Sequence, residues 1–290
     1  MYLYNGKVKR YKPDIAEQKY KDKRANSKRN YRCLECVEFL NYVVEMFNKK
    51  GWSLDASVGY AQKNNLFSTD EMVCTKTLYN YVDLGILPIK NIDLPEKLKR
   101  NTKSSSTRKN RKILGKSIEE RTETVNLREE FGHWEIDSVL GKKKDTEPAI
   151  MTIVERKTRM SLWIKIKDHS SMAIDEALQS LINRFGTKKS EVFKSITGDN
   201  GSEFANLSNI ENNGISVYFT HPYTSCEKGT NECHNKMLRR FIPKGKSIDD
   251  YSAEDILFFS DTINGLPRKI LNYHTPEELF DNQLDRIYAT

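Results

Sequence analysis

The chain has 290 residues, 37% hydrophobic and 30% charged, a balance that supplies core for one large or two smaller globular domains and excludes a disordered chain. No apolar run approaches the roughly 20 residues that cross a bilayer, so no membrane partner is expected. Met1-Tyr2-Leu3-Tyr4 runs straight into charge rather than into a signal peptide, so the cytosol is the expected location.

The net charge of +8 is unevenly spread. Residues 1–120 hold 25 Lys and Arg against 14 Asp and Glu, whereas residues 121–290 hold 23 against 26. A basic first half ahead of a mildly acidic second half fits a polyanion-binding module followed by a metal-binding one, although a solvated basic surface would carry the same charge.

Residues 1–98 read as a basic helical region. A polar, strongly basic start leads at Pro13-Asp14 into one exposed helix. Leu34, Val37, Leu40, Val43, Val44 and Phe47 recur on one helical face, and Gly51 stops that helix. Ser53 caps a second helix running to about Asn64, a short helix is expected at Thr69–Val73, and Thr75–Val82 forms the last, ended by Gly85 and Pro88. The stretch near 53–85 has the layout of a helix-turn-helix, which reads DNA with the first residues of its second helix. Lys76, Thr77 and Asn80 project together there. An ordinary three-helix bundle has the same pattern. Cys33-Leu34-Glu35-Cys36 has zinc-ligand spacing but no second pair at the usual distance, so it reads as buried thiols, and five cysteines do not make a disulfide framework. Cys226, Cys233 and His234 flank a helix start and are not read as a zinc site.

Residues 99–117 read as a basic flexible linker with almost nothing to bury. Arg108, Lys109, Arg111 and Lys112 can track a phosphate backbone there, or serve only a soluble tether. Residues 118–290 alternate. Strands at Trp134–Leu140, Ala149–Glu155 and Ser161–Lys167, joined by short turns, form an antiparallel meander. Ser170 and Ser171 cap a helix to about Phe185, after which a strand at Phe193–Thr197 runs parallel to its neighbour. A short helix at Phe204–Glu211, a fifth strand at Ile215–Thr220, a long helix from about Gly229 to Arg240 and a helical C-terminus from Ala253 complete the chain. The expected class is α/β, a five-stranded mixed sheet with flanking helices behind an all-α domain.

Three acids sit at the edges of these elements: Asp137 within the first strand, Asp199 just after the fourth, and Glu232 at the start of the long helix. Any one alone reads as a solvated carboxylate. Together they suit a hard divalent cation such as Mg²⁺, which takes oxygen ligands and leaves room for substrate phosphate. Two such ions clamp the attacking and leaving oxygens of a phosphodiester displacement. Glu232, Asn235 and Arg239 recur at i, i+3 and i+7, so one polar face of that helix can meet both metal and DNA.

Gly132-His133-Trp134-Glu135-x-Asp137, Asp199-Asn200-Gly201-x-Glu203-Phe204 and Gly229-Thr230-Asn231-Glu232-x-x-Asn235-x-x-Leu238-Arg239 resemble the transposases of the insertion sequence 30 family. Pro222-Tyr223, Phe241-x-Pro243-Lys244-Gly245, Asn264-x-x-Pro267-Arg268-Lys269 and Thr275-Pro276-Glu277-Glu278-x-Phe280 extend the likeness across residues 118–281. Upstream, Trp52-Ser53 and Thr77-Leu78-Tyr79-x-Tyr81 resemble the family's second helix-turn-helix. The resemblance implies a ribonuclease-H-like integrase core. It implies a triad of Asp137, Asp199 and Glu232 using Mg²⁺, with Mn²⁺ able to substitute. It also implies cleavage at terminal inverted repeats, strand transfer into target DNA, and a homodimer or larger assembly on DNA. Ile136 stands where the family has a small residue, and Cys226-Glu227 replace a Trp-Gln pair. The family's first helix-turn-helix is expected to be missing. Two alternatives follow: a truncated copy acting only as a DNA-binding repressor or inert remnant, and a simple metal-dependent nuclease on the same fold.

Overall fold

The computed structural model describes residues 3–4, 7–8, 11–27, 31–95, 114–142, 147–221 and 228–289. Strands β1 (Leu3–Tyr4) and β2 (Lys7–Val8) pair antiparallel ahead of helix α1 (Pro13–Asn26), which buries none of its residues. Next come α2 (Val37–Lys50), α3 (Leu54–Lys63) and α4 (Thr75–Asp83), with a 3₁₀ turn at Thr69–Glu71. α2 starts three residues later than the periodicity suggests. Leu34 lies outside it and is 87% exposed, and the buried face is Phe39, Leu40 and Val43. Gly51 ends α2 at φ 66, a left-handed conformation that costs glycine nothing. Ser53 Oγ accepts from the Ala56 N–H at 3.1 Å, satisfying one of the free donors at the start of α3. Leu54, Val58, Ala61, Leu78 and Val82 join the α2 residues in a core of their own.

The second core surrounds a five-stranded sheet. β3 (His133–Leu140), β4 (Ala149–Glu155) and β5 (Ser161–Ile166) form the antiparallel meander. β6 (Ser195–Gly198) pairs parallel to β3, and β7 (Ser216–Phe219) parallel to β6. The order is β5-β4-β3-β6-β7, the mixed sheet expected from the sequence. Before β3 lies the short helix α5 (Glu123–Leu127). Between β5 and β6 run α6 (Ser171–Asn183) and the single turn α7 (Lys189–Val192). After β7 come α8 (Gly229–Phe241), α9 (Ala253–Asn264) and α10 (Pro276–Tyr288). Phe204–Glu211, expected as one short helix, is two 3₁₀ segments, Ser202–Phe204 and Leu207–Asn213.

Strand alternation sorts the sheet's two faces. Trp134, Ile136, Met151 and Ile153 point into the core beneath α6 and the 3₁₀ segments, where Phe280 of α10 also packs. Val139, Ile150 and Trp163 point the other way, against Leu238 and Ile242 of α8 and Ile256 and Ile263 of α9. Asp137 is two residues from Val139 and so faces the α8 side. Residues 114–117, expected as part of a free linker, lie along the sheet edge: the Phe219 N–H donates to Lys116 O at 2.9 Å and Ser117 bridges Phe219.

The helical region meets the sheet region through the turn before α10. Tyr273, at φ 59, lays its ring on the backbone of α3 at Gly59, where a Cβ would fall 2.1 Å from the ring carbons. Among the described residues, no helix is long and apolar enough to cross a membrane.

Candidate active site

The register of β3 and β6 creates the site. Glu135 lies opposite Thr197 in the parallel ladder, so two residues further along both strands Asp137 and Asp199 come level. On the other flank Asp137 pairs with Thr152 of β4. The two carboxylates meet around one ammonium. Lys228 Nζ, at the cap of α8, sits 3.3 Å from Asp137 Oδ1 and 3.0 Å from Asp199 Oδ2, and it donates to Ile136 O at 3.1 Å.

Each aspartate is held from behind. Asn235 Nδ2 donates to Asp137 Oδ2 at 2.7 Å, and the Ser138 N–H donates to Asp137 Oδ1 at 3.0 Å. Thr152 Oγ1 donates to Asn235 Oδ1 at 3.2 Å, which fixes the amide so that its NH₂ faces the carboxylate. The Gly201 N–H donates to Asp199 Oδ1 at 2.9 Å, and Asn200 ties the same turn to Leu114 N and Thr220 O. Burial pushes the Asp137 carboxyl above its ordinary range. Lys228 pulls it back down, and Asp199 adds to the rise.

Beside the pair, Ser138 Oγ lies 2.7 Å from His169 Nε2 and donates to Glu203 Oε1 at 3.2 Å. Burial would raise the Glu203 carboxyl, but the hydrogen bond with His169 holds it below the usual range. The Glu203 partner in turn raises His169, with smaller contributions from Asp199 and Asp137.

α8 is anchored by charge buried under its first turns. Glu135 is fully buried, accepts from the Asn231 N–H at 3.2 Å and pairs with Arg156 Nη1 at 2.6 Å. Arg159 Nη1 donates to Thr230 Oγ1 at 2.9 Å. His234 contacts Thr230 O through Nδ1 and, through Nε2, both Arg268 Nη1 at 2.8 Å and Arg159 O at 3.2 Å; the shorter guanidinium contact favours the neutral ring with its proton on Nδ1. Burial takes its pKa down to about 3. His234 is thus a structural histidine.

Other sequence-predicted residues fall differently. Glu232 lies about one turn of α8 from both Lys228 and Asn235 but is exposed, and its carboxylate pairs with Lys236 at 2.8 Å, outside the Asp137–Asp199 contact. Asn235 and Arg239, expected at a DNA-facing surface, are both half-buried. Asn235 is spent on Asp137, and half-buried Arg239 donates to Leu140 O at 2.8 Å, since the rotation of α8 that buries Leu238 turns both toward β3. Lys76 and Asn80 are exposed on α4, with Thr77 half-buried beside them. Arg108, Lys109, Arg111 and Lys112 lie outside the described residues, as do Cys226 and Glu227.

Sequence reasoning missed Lys228, Thr152 and His169. Lys228 did carry a signal: 228, 232, 235 and 239 recur at helical spacing on one face.

Two carboxylate oxygens within 3.0–3.3 Å of one nitrogen fit a shared cation, and their donor chemistry is that of a hard ion. Among the described residues no group of three His, Cys, Asp or Glu side chains is gathered. The fit is therefore a two-carboxylate site with Glu232 one turn of α8 away.

The integrase core domain family matches residues 128–225. The chain is 44% identical over 207 residues to the probable transposase for the insertion-like sequence element IS1161 of Streptococcus salivarius, covering 71% of this chain and 58% of that protein. It is 32% identical over 170 residues to the transposase InsI for the insertion sequence element IS30A of Escherichia coli strain K12, covering 58% and 43% respectively. The catalytic core domain of BIV integrase aligns over 54% of this chain and 98% of its own at 19% identity and a TM-score of 0.40. The chain spans about half the length of the curated transposases it matches.

Proposed function

This chain belongs to the insertion sequence 30 family of transposases, and we propose that it cleaves and joins DNA strands, with a divalent metal, during movement of an insertion sequence. The observation that carries the reading is the seating of one ammonium, that of Lys228, between Asp137 within β3 and Asp199 just past β6, level across the parallel ladder. A divalent ion bound there would neutralise a phosphodiester oxygen and lower the pKa of an attacking hydroxyl.

The residues of the chain do the positioning. Asn235, through Thr152, holds Asp137, and the Gly201 N–H holds Asp199, so each carboxylate presents its second oxygen to the shared space without reorganising. Glu232 would supply a further oxygen to such an ion if its side chain left Lys236 on the exposed face of α8. Mg²⁺ is the ion that suits this donor set, and Mn²⁺ would substitute.

The helical region supplies DNA contacts in this reading. Lys76 and Asn80, with Thr77, stand at the first turns of α4, where a second helix of a helix-turn-helix enters the major groove. The substrates are terminal inverted repeats and target DNA, handled by a homodimer or larger assembly. The basic stretch at Arg108, Lys109, Arg111 and Lys112 adds phosphate contacts between the two regions. We assign residues 1–98 to DNA recognition, 99–117 to the connection and 118–290 to the chemistry. The test is a strand-transfer assay with a pre-cleaved 3′ end and Mn²⁺. Joined products support a transposase. Hydrolysis without joining would favour a simple nuclease, and binding without either would favour a repressor.

A further inference from the structure

Lys228 belongs to no motif used above, yet its ammonium is the group on which the two aspartates converge. It has three protons and three oxygen partners: Asp137 Oδ1, Asp199 Oδ2 and Ile136 O, with none left over. Its side chain is only 8% exposed, and Nζ lies 5.6 Å from the centroid of the Phe204 ring. A lysine that merely decorated a surface would keep its head in water. This one is withdrawn to the place where two carboxylates need a counter-charge.

The remaining aspartate oxygens are committed elsewhere. Asp137 Oδ2 is taken by Asn235, and Asp199 Oδ1 by the Gly201 N–H, while Asp137 Oδ1 accepts from the Ser138 N–H and keeps a second lone pair for a cation. The oxygens facing Lys228 are therefore the ones a shared metal would use. Oxygen ligands approach Mg²⁺ to about 2.0–2.1 Å, so ammonium and metal cannot both hold that pair of oxygens.

We infer that Lys228 is a tethered cation that keeps the aspartate pair assembled before metal arrives, and that metal enters by displacing it. The inference rests on the metal site proposed above. The displaced ammonium stays on the first turn of α8, next to where a phosphate must lie, and so is placed to contact the DNA backbone once the metal is seated. Without Lys228 the two half-buried carboxylates would repel each other in the metal-free protein. With it, the metal-competent state is a minor one, and apparent affinity falls by the fraction in which the site is open.

The experiment is calorimetric titration of Mn²⁺ into the full chain without DNA, alongside melting temperatures, for the natural protein, Lys228→Met and Asp199→Asn. Lys228→Met should bind Mn²⁺ about tenfold more tightly, melt lower without metal, and recover on Mn²⁺ addition. Equal or weaker Mn²⁺ binding by Lys228→Met would overturn the inference. Mn²⁺ uptake that Asp199→Asn leaves unchanged would instead remove the metal site itself.

A measurement on the unsubstituted chain guards against a variant that fails to fold. In ¹⁵N-lysine spectra, one ammonium should be protected from solvent exchange without metal and lose that protection when Mg²⁺ is added. A protected signal that ignores Mg²⁺ at saturating concentration would show that Lys228 stays in place, and would also overturn the inference.

Discussion

The two cores of this molecule are built by different physics. In the helical region, Phe39, Leu40, Val43, Leu54, Val58, Leu78 and Val82 interdigitate, and the polar groups buried beside them are uncharged hydroxyls such as those of Ser57 and Tyr81. Under α8, by contrast, Glu135, Arg156, Arg159 and His234 are all buried to within 8% of their surface. The first core needs only shape and hydrophobicity and tolerates adjustment. The second consists of charges that are costly to bury and costlier to leave alone, so it fixes one position of α8 against β3. Strand and helix must be mutually fixed, because Asp137 comes from one and Lys228, Glu232 and Asn235 come from the other.

The largest expected effect lies where the two elements meet. Asp199→Asn should lower Mn²⁺-dependent strand transfer by at least about three orders of magnitude while DNA affinity, measured by anisotropy, stays within about twofold. Transfer that survives this change would place the chemistry elsewhere. An equally large loss of DNA affinity would mean that the aspartate shapes the fold rather than the reaction.

The contrast between the cores is tested by breaking each in its own manner. Glu135→Gln leaves Arg156 buried without its counter-charge and should cost about 3–5 kcal/mol in urea unfolding. Replacing both partners, Glu135→Leu with Arg156→Met, should recover most of that loss, since the penalty belongs to the orphaned charge rather than to the missing pair. Leu78→Ala should cost about 2–5 kcal/mol through the cavity it leaves, with no second substitution of comparable rescue. A double replacement no more stable than the single one would show that the ion pair is itself favourable. The two cores would then differ less than their composition suggests.

How much of this was legible in the sequence follows the same division. The five strands and the antiparallel meander of the first three were readable because alternation and turn spacing are local properties, and β3 to β5 began and ended within about a residue of expectation. The approach of Asp137 to Asp199 follows from the pairing of β3 with β6, since Asp137 lies within the one strand and Asp199 just past the other, and sequence supplies the parallel direction of β6 but not that neighbour. The α2 start was misjudged because Leu34 fits the helical period but lies in the turn before it. The inward turn of Asn235 and Arg239 was not legible either. Helical spacing says which residues share a face, but which way that face points is set by Leu238 and Ile242 packing on Val139 and Ile150. The Glu135–Arg156 pair and the seat of Lys228 depend on contacts between residues 21 to 92 positions apart, which no local pattern encodes.

Buried His234 gives the comparison a pH dependence. Its pKa in the fold is about 3, well below the 6.5 of an exposed imidazole, so the unfolded chain binds its proton more readily. The stability it contributes is complete above about pH 6.5 and is lost as pH falls from there toward 3, by up to about 1.4 kcal/mol per pH unit. Urea midpoints at pH 7 and pH 5.5 should therefore differ more for the natural chain than for His234→Gln, which has no proton to gain. Equal pH dependence in the two proteins would mean that the imidazole is reached by water and titrates normally.

The smallest effect belongs to the surface of the helical region. Lys76→Ala removes one exposed ammonium from the first turn of α4 and leaves its apolar face, Leu78, Tyr81 and Val82, untouched. If that ammonium neutralises a phosphate, its removal should weaken binding to all DNA sequences alike and reduce the slope of log affinity against log salt by about one. Asn80→Ala should leave that slope unchanged and, if Asn80 reads a base edge, cost about 1–3 kcal/mol on the recognised sequence alone. The pair of slopes separates a module that only holds DNA from one that selects it, because only the second discriminates sequence at fixed ionic strength. If both variants weaken binding in parallel across sequences, α4 is a positive surface and selection of the element's ends rests elsewhere in the protein.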